Sequence, residues 1–248
     1  MSDFYSDLKQ KRSGYVTKYR HRWYEVLSTV AEASIEAFVS AGDERTGRAK
    51  ALAALRNHRD NYRPVLEENT IDVASVWSGE VLAHLKSQRQ APEEEGAGKQ
   101  AAVQHLADEG ADLVQDIHEN TKNTLRSILQ KTMDEDLSEG EKIRRMREQW
   151  EGLSRVRARR IARTETVRAS SIGVEAAGQD APFGVKYEWM AANDSRTRAA
   201  HLAADGNKRT PDGFFEIGGH EAKHPADMRL PPSQSVNCRC AMAAVPDL

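Results

Sequence analysis

The chain has 248 residues, 30% of them charged and only 6% aromatic, with a formal net charge of −2. That balance excludes a polycation, so any contact with nucleic acid has to come from a local basic patch. No apolar run approaches the ~18 residues of a membrane span, and the opening MSDFYSDLKQKRSGYV lacks the apolar stretch of a signal peptide, so neither membrane insertion nor secretion is expected.

Residues 15–90 carry helical periodicity. In YRHRWYEVLSTVAEASIEAFV, Trp23, Val26, Leu27, Val30, Ala33 and Ala37 recur at three- and four-residue spacing and form one apolar face. GDE reads as a turn. A second run follows through Leu52, Leu55, Val65, Leu66, Ile71, Val73, Val76, Leu82 and Leu85, with an interruption expected at Pro64. Residues 89–100, RQAPEEEGAGKQ, read as a loop. Helix resumes through Val103, Leu106, Leu113, Val114, Ile117, Leu125, Ile128 and Leu129. Ser138 with Glu141 three residues on is a capping box. Gly152 and Ser154 suggest a break, with a new helix over about 155–178.

Beyond Gly178 the period changes to two. Val185, Tyr187 and Trp189 alternate with Lys186, Glu188 and Met190, a strand pattern. Asp194 is expected to cap a short helix that Gly206 ends. GFFEIGG reads as a short strand and SVNCRCAMAAV as the last one. The fold class is therefore α+β: a long helical N-terminal part followed by a compact α+β C-terminal part of roughly 90 residues with a few short strands.

Charge is unevenly spread. Residues 141–168 hold ten lysines and arginines against four glutamates, an excess of six positive charges in a chain of net charge −2. Arg155, Arg157, Arg159, Arg160 and Arg163 are the candidates for salt-sensitive contact with DNA phosphates. The alternative is a solvated helix face with local ion pairs, since the run contains no interleaved aromatics beyond Trp150 and no base-reading motif.

Three strings, ARRIARTETVRAS, YEWMAANDSRTRAAHLAADG and VNCRC, occur in this order over about residues 139–245. Together they resemble the phage Mu F-like minor head proteins, also called phage head morphogenesis proteins. Ala169, Ser170 and Ser171 stand where many relatives carry an asparagine. The resemblance implies a low-copy internal component of a tailed-phage head. Its implied partners are the portal protein, a scaffold or major capsid protein, and phage DNA through weak non-specific contact. It implies a place inside the virion, and in the host cytoplasm during assembly. The domain also occurs fused to toxin modules; with three residues after Val245, none is expected here.

The two cysteines, Cys238 and Cys240, are the only ones in the sequence. On a strand, residues two apart face the same way, so both sulfurs would share one face. With His201 from the accompanying DSRTRAAH string they would form a zinc site, its fourth ligand being His224, His220, Asp205 or water. The competing readings are burial as small hydrophobes and a redox pair. Arg163, Glu165, Asp194, Arg196 and Arg198 are expected to form a buried ion-pair network. No nucleophile elbow or phosphate loop is present, so the chain is not expected to be an enzyme. The alternative is a metal-dependent hydrolase or toxin-like enzyme built on His201, Cys238 and Cys240; open metal coordination would favour it and four protein ligands would favour structure.

Overall fold

A computed structural model describes residues 2–41, 43–89, 98–133 and 137–247. Five long or medium helices come first: α1 Ser2–Val39, α2 Glu44–Asn57, α3 Arg63–Arg89, α4 Gly98–Met133 and α5 Glu139–Gln179. A 3₁₀ turn, Arg59–Tyr62, joins α2 to α3. Then come β1 Val185–Met190, α6 Ala199–Ala203, β2 Lys208–Arg209, β3 Phe215–Ile217, β4 His220–Ala222, α7 Pro232–Ser235 and β5 Ala241–Pro246. The α+β class stands, with long helices first and short antiparallel strands last. Among the described residues no helix is long and apolar enough to cross a membrane.

Local chemistry explains most boundaries. Asp43 caps α2 by accepting from the Thr46 backbone N–H at 3.0 Å. Pro64 does not interrupt a helix. It sits in the first turn of α3, where its missing N–H has no intrahelical partner to lose, and the interruption falls upstream in the 3₁₀ turn. The capping box forms at the start of α5: Ser138 N–H donates to the Glu141 carboxylate at 3.1 Å, and Glu141 N–H to the Ser138 hydroxyl at 3.4 Å. The expected break at Gly152 does not occur, and α5 runs through all 41 residues. A glycine there costs about 1 kcal/mol against alanine, which the packing of so long a helix absorbs. The acidic part of the 89–100 segment, residues 90–97, lies outside the described residues.

The chain divides into two compact units that are each discontinuous in sequence. One combines Tyr19–Leu66 with Glu109–Arg159. Its core holds Trp23, Leu27, Val30, Leu55, Leu113, Leu125, Met146 and Trp150, apolar positions of α1, α2, α4 and α5, together with Tyr62 of the 3₁₀ turn. Trp23 and Tyr62 stack at 6.5 Å between ring centroids.

The other unit combines Met1–Lys18, Glu67–Asp108 and Arg160–Leu248. Three helices meet here with almost no room between backbones. A Cβ on Gly173 of α5 would lie 2.5 Å from the Ala74 carbonyl oxygen and 2.8 Å from Trp77 Cβ, both on α3. A Cβ on Gly98 of α4 would lie 2.3 Å from Ser78 Cβ. These glycines let α4 and α5 approach α3 closely enough for Ala74, Ala102 and Ile172 to close a core cluster.

The small sheet completes this unit in the order β2-β1-β5, all antiparallel, with Tyr187 opposite Ala244 and Trp189 opposite Met242. The expected alternation of β1 holds: Val185, Tyr187 and Trp189 are buried and their neighbours half-buried. β5 lies at the sheet edge. There the Tyr5 hydroxyl of α1 donates to the Ala244 carbonyl at 2.8 Å and accepts from the Ala244 N–H at 3.0 Å. β3 and β4 form a separate hairpin turned by Gly218 and Gly219, with φ of 58° and 80°, the positive-φ pair of a type I′ turn.

Candidate metal centre

The two cysteines precede the last strand instead of lying in it, because β5 starts only at Ala241. Their shared orientation comes from the turn before them. Asn237 adopts a left-handed backbone with φ of 59°, and three arginines fix the surrounding main chain. Arg12 of α1 donates to the Cys240 carbonyl at 2.8 Å and the Arg239 carbonyl at 2.7 Å. Arg198 donates to the Gln234 and Val236 carbonyls at 3.1 and 2.7 Å. Arg163 of α5 donates to Asn237 Oδ1 at 2.7 Å, and the Asn237 N–H donates to the Thr164 hydroxyl at 2.9 Å. Such charge-assisted donors are strong constraints on an otherwise irregular segment.

Within this frame His201, on α6, stands beside both thiols. Its Nδ1 lies 3.4 Å from Cys240 Sγ and 3.6 Å from Cys238 Sγ. The three ligand atoms lie within 4.8 Å of one another, and all three residues are buried. Zinc bonds of ~2.3 Å to sulfur and ~2.0 Å to nitrogen at tetrahedral angles set an N···S edge of roughly 3.5 Å. The donor set and its spacing therefore fit zinc with only slight adjustment. The His201 ring meets Trp189 edge-on at 5.4 Å, which holds it against rotation. Its Nε2 is buried with no partner among the described residues.

The two thiols are not equivalent. The Cys238 thiol is lowered to about 7, first by the hydrogen bond from the Cys240 thiol and then by the Cys240 backbone N–H and the Arg12 and Arg198 charges, against the opposing effect of burial. Cys240 moves up, first because its proton is shared with Cys238 and then by burial. A ready thiolate flanked by cations is the form that binds metal.

Outward from the cluster opens a cleft of about 170 Å³ whose wall includes His201, Cys240, Thr197, Arg196, Arg198 and Arg239. Arg239 pairs with the Asp194 carboxylate. Asp194 does not cap α6; it accepts from the Arg196 backbone N–H at 2.9 Å in a turn ahead of the helix, which begins at Ala199 with Arg198 as its N-cap. Gly206, with φ of 78°, does follow the end of that helix.

The fold assembles only three of the expected metal ligands. His224 is not in the cluster; its Nδ1 lies 3.0 Å from the Pro225 carbonyl oxygen. Asp205 accepts from the Ala191 N–H and the Asn193 side chain at 2.7 and 2.8 Å, and His220 is exposed on β4. The expected ion-pair network resolves into separate contacts. Glu165 pairs with Arg168 in a buried bridge, Asp194 pairs with Arg239, and Arg163 and Arg198 turn to the cysteine segment. Arg196 adds its backbone N–H to Asp194 and leaves its side chain exposed.

Of the basic helix, Arg155 pairs with Glu151 at 2.6 Å and lies over the Tyr24 ring. Arg157 donates to the Thr121 and Thr124 hydroxyls. Arg159 and Arg160 are exposed. Arg12, Thr164 and Asn237 also hold the cysteine segment, and sequence reasoning did not single them out. The last two sit inside the IARTE and VNCRC strings, whereas nothing in the sequence distinguishes Arg12 from other surface arginines.

A helix bearing IARTE, an antiparallel sheet and a C-terminal Cys-x-Cys held over a histidine define the class of this domain. Residues 123–243 match the family described as Phage Mu protein F like protein. The chain is 39% identical over 98 residues to the Minor head protein GP7 of Bacillus phage SPP1, a match covering 38% of this chain and 32% of that protein. It is 38% identical over 93 residues to the NAD(+)--arginine ADP-ribosyltransferase EFV of Enterococcus faecalis, covering 36% of this chain and 19% of that protein. The matched region thus spans a third or less of either relative. No solved structure gives a significant match.

Proposed function

We propose that this chain is a minor head protein of a tailed phage, a structural component built into the head during assembly. The family match and the likeness to a phage minor head protein support the head role. The observation that carries the structural reading is the manner in which the site is built. Cys238, Cys240 and His201 are each 2% exposed or less, Arg12 and Arg198 bind main-chain carbonyls beside them, and Arg163 binds the Asn237 side chain. This arrangement ties α1, α5 and α6 to the entry of β5. Zinc on His201 Nδ1 and the two sulfurs would complete a staple for a domain with a small apolar core. In this reading residues 1–138 dock on the portal or on a scaffold or major capsid protein, residues 139–248 form the Mu F-like domain, and Arg155, Arg159 and Arg160 touch phage DNA weakly. The protein would reside inside the virion.

Quantitative mass spectrometry of purified heads is the test, with a portal pull-down beside it. The chain is expected in heads at low copy number and in the portal eluate. Empty and full heads of normal composition that contain none of it would overturn the reading. The three-member ligand set supports one alternative, a metal-dependent hydrolase with an open coordination position. Zinc-dependent hydrolysis that disappears in Cys238→Ser while the variant stays folded would favour that alternative.

A further inference from the structure

The cleft beside the cysteine cluster gathers more positive charge than the fold uses. Three arginines line it, Arg196, Arg198 and Arg239. Two of them are held in place by contacts that do not consume all their donors. Arg198 spends Nη1 and Nη2 on the Gln234 and Val236 carbonyls, and Arg239 spends Nε and Nη2 on Asp194. That leaves Arg198 Nε and Arg239 Nη1. The Arg196 side chain is exposed and forms no ion pair among the described residues. Asp194, itself 42% exposed at the side chain, is the one carboxylate bonded to this trio among the described residues. Against three cations it leaves a residual charge of about two. The space of about 170 Å³ equals roughly five or six water molecules at ~30 Å³ each, enough for one phosphate group and some of its hydration.

We propose that this cleft is a binding site for a phosphate group. Three arginines lining one cleft suit an anion with several oxygens and up to two charges better than a single carboxylate. The two anchored arginines are pre-organised, so little side-chain freedom is lost when the anion arrives. Arg196 supplies the movable third arm. The site is separate from the basic stretch of α5 and does not depend on metal at the cluster, because none of its anion donors is a proposed metal ligand.

Inorganic phosphate is the probe, followed on the full chain by titration calorimetry at constant ionic strength, with acetate as the carboxylate control. Arg196→Gln is the informative variant, since its side chain is exposed and forms no ion pair among the described residues; a thermal melt matching wild type checks that the fold is kept. Loss of one charge-assisted contact should weaken phosphate binding about tenfold, and Arg239→Gln should do the same. A short single-stranded oligonucleotide that displaces phosphate identifies a nucleic-acid backbone as the source of the group. Phosphate that binds without such competition identifies a free anion. Absence of phosphate binding by the wild type, equal binding in Arg196→Gln and wild type, or acetate binding as well as phosphate would each overturn the proposal.

Discussion

Replacing Tyr5 by Phe isolates a single hydroxyl that completes an edge strand. Tyr5 is 2% exposed, and burial holds its phenol far above the ordinary tyrosine range, so it stays a neutral donor and acceptor. It serves both the N–H and the C=O of Ala244 on the side of β5 that faces away from β1. Ala244 is itself 2% exposed, so water does not readily take over. The substitution keeps the ring and its packing, and strands two main-chain groups. Each buried unsatisfied group costs about 1–3 kcal/mol, giving about 3 kcal/mol for the pair. With tryptophans in both compact units, bulk fluorescence would mix their transitions, so native-state hydrogen exchange of β1 and β5 amides is the better assay. Exchange through opening of this unit should speed up roughly a hundredfold. Unchanged exchange of these amides in Tyr5→Phe would refute the claim that the hydroxyl, and not the ring alone, holds the edge.

Other outcomes follow from the same geometry. Metal analysis should find about one zinc per chain, with a chelator lowering the melting temperature and Cys238→Ser losing the metal; a metal-free protein indifferent to chelator would remove the staple. Gly173→Ala should destabilise by about 1–3 kcal/mol through overpacking against Ala74 and Trp77, whereas Gly152→Ala, with nothing within 4 Å, should gain up to about 1 kcal/mol; urea titrations of the two variants moving in the same direction would contradict this. Burial, aided by Arg168 and His224, depresses His105 to about 4. Its stabilising contribution is therefore complete above the unfolded value of ~6.5 and falls away by about 3 kcal/mol as pH drops to ~4. His105→Gln should lose less stability than wild type over that range, and equal losses would count against the burial argument. If α5 touches DNA, neutralising Arg155, Arg159 and Arg160 should reduce the log–log salt slope by about 0.9 per lost phosphate contact; an unchanged slope would leave the helix a structural role only.

Periodicity revealed the elements well where apolar residues dominate their own face. The Trp23–Leu27–Val30 stripe, the Ser138–Glu141 box and the Val185–Trp189 alternation were all legible because each is a local signal. Boundaries set by long-range packing were not. Tyr5, Leu8, Arg12 and Tyr19 do share a helical spacing, but one of the four is an arginine and its use lies more than two hundred residues away. Gly152 looked like a stop because propensity is visible in sequence and tertiary support is not. The cysteine–histidine cluster was reached through the family strings, since spacing alone cannot say which of eight histidines folds against Cys238 and Cys240. The three-member ligand set found among the described residues and the cleft beside the cluster depend on side-chain placement that no motif records.

The interleaving of the two compact units has a temporal side. The unit closed by Arg159 has all of its segments synthesised once that residue is added, with the remaining third of the chain still to be made. The first turns of α1 must wait much longer, since Tyr5 finds its partner 239 residues downstream. At ~5–20 residues per second, translating that last third takes roughly 5–20 seconds. During that interval Tyr5 has no strand to cap and Arg12 no cysteine segment to grip. A nascent chain stalled before β5 should therefore hold one folded unit and an unburied helical stripe, the state in which a chaperone or an assembly partner would meet it first.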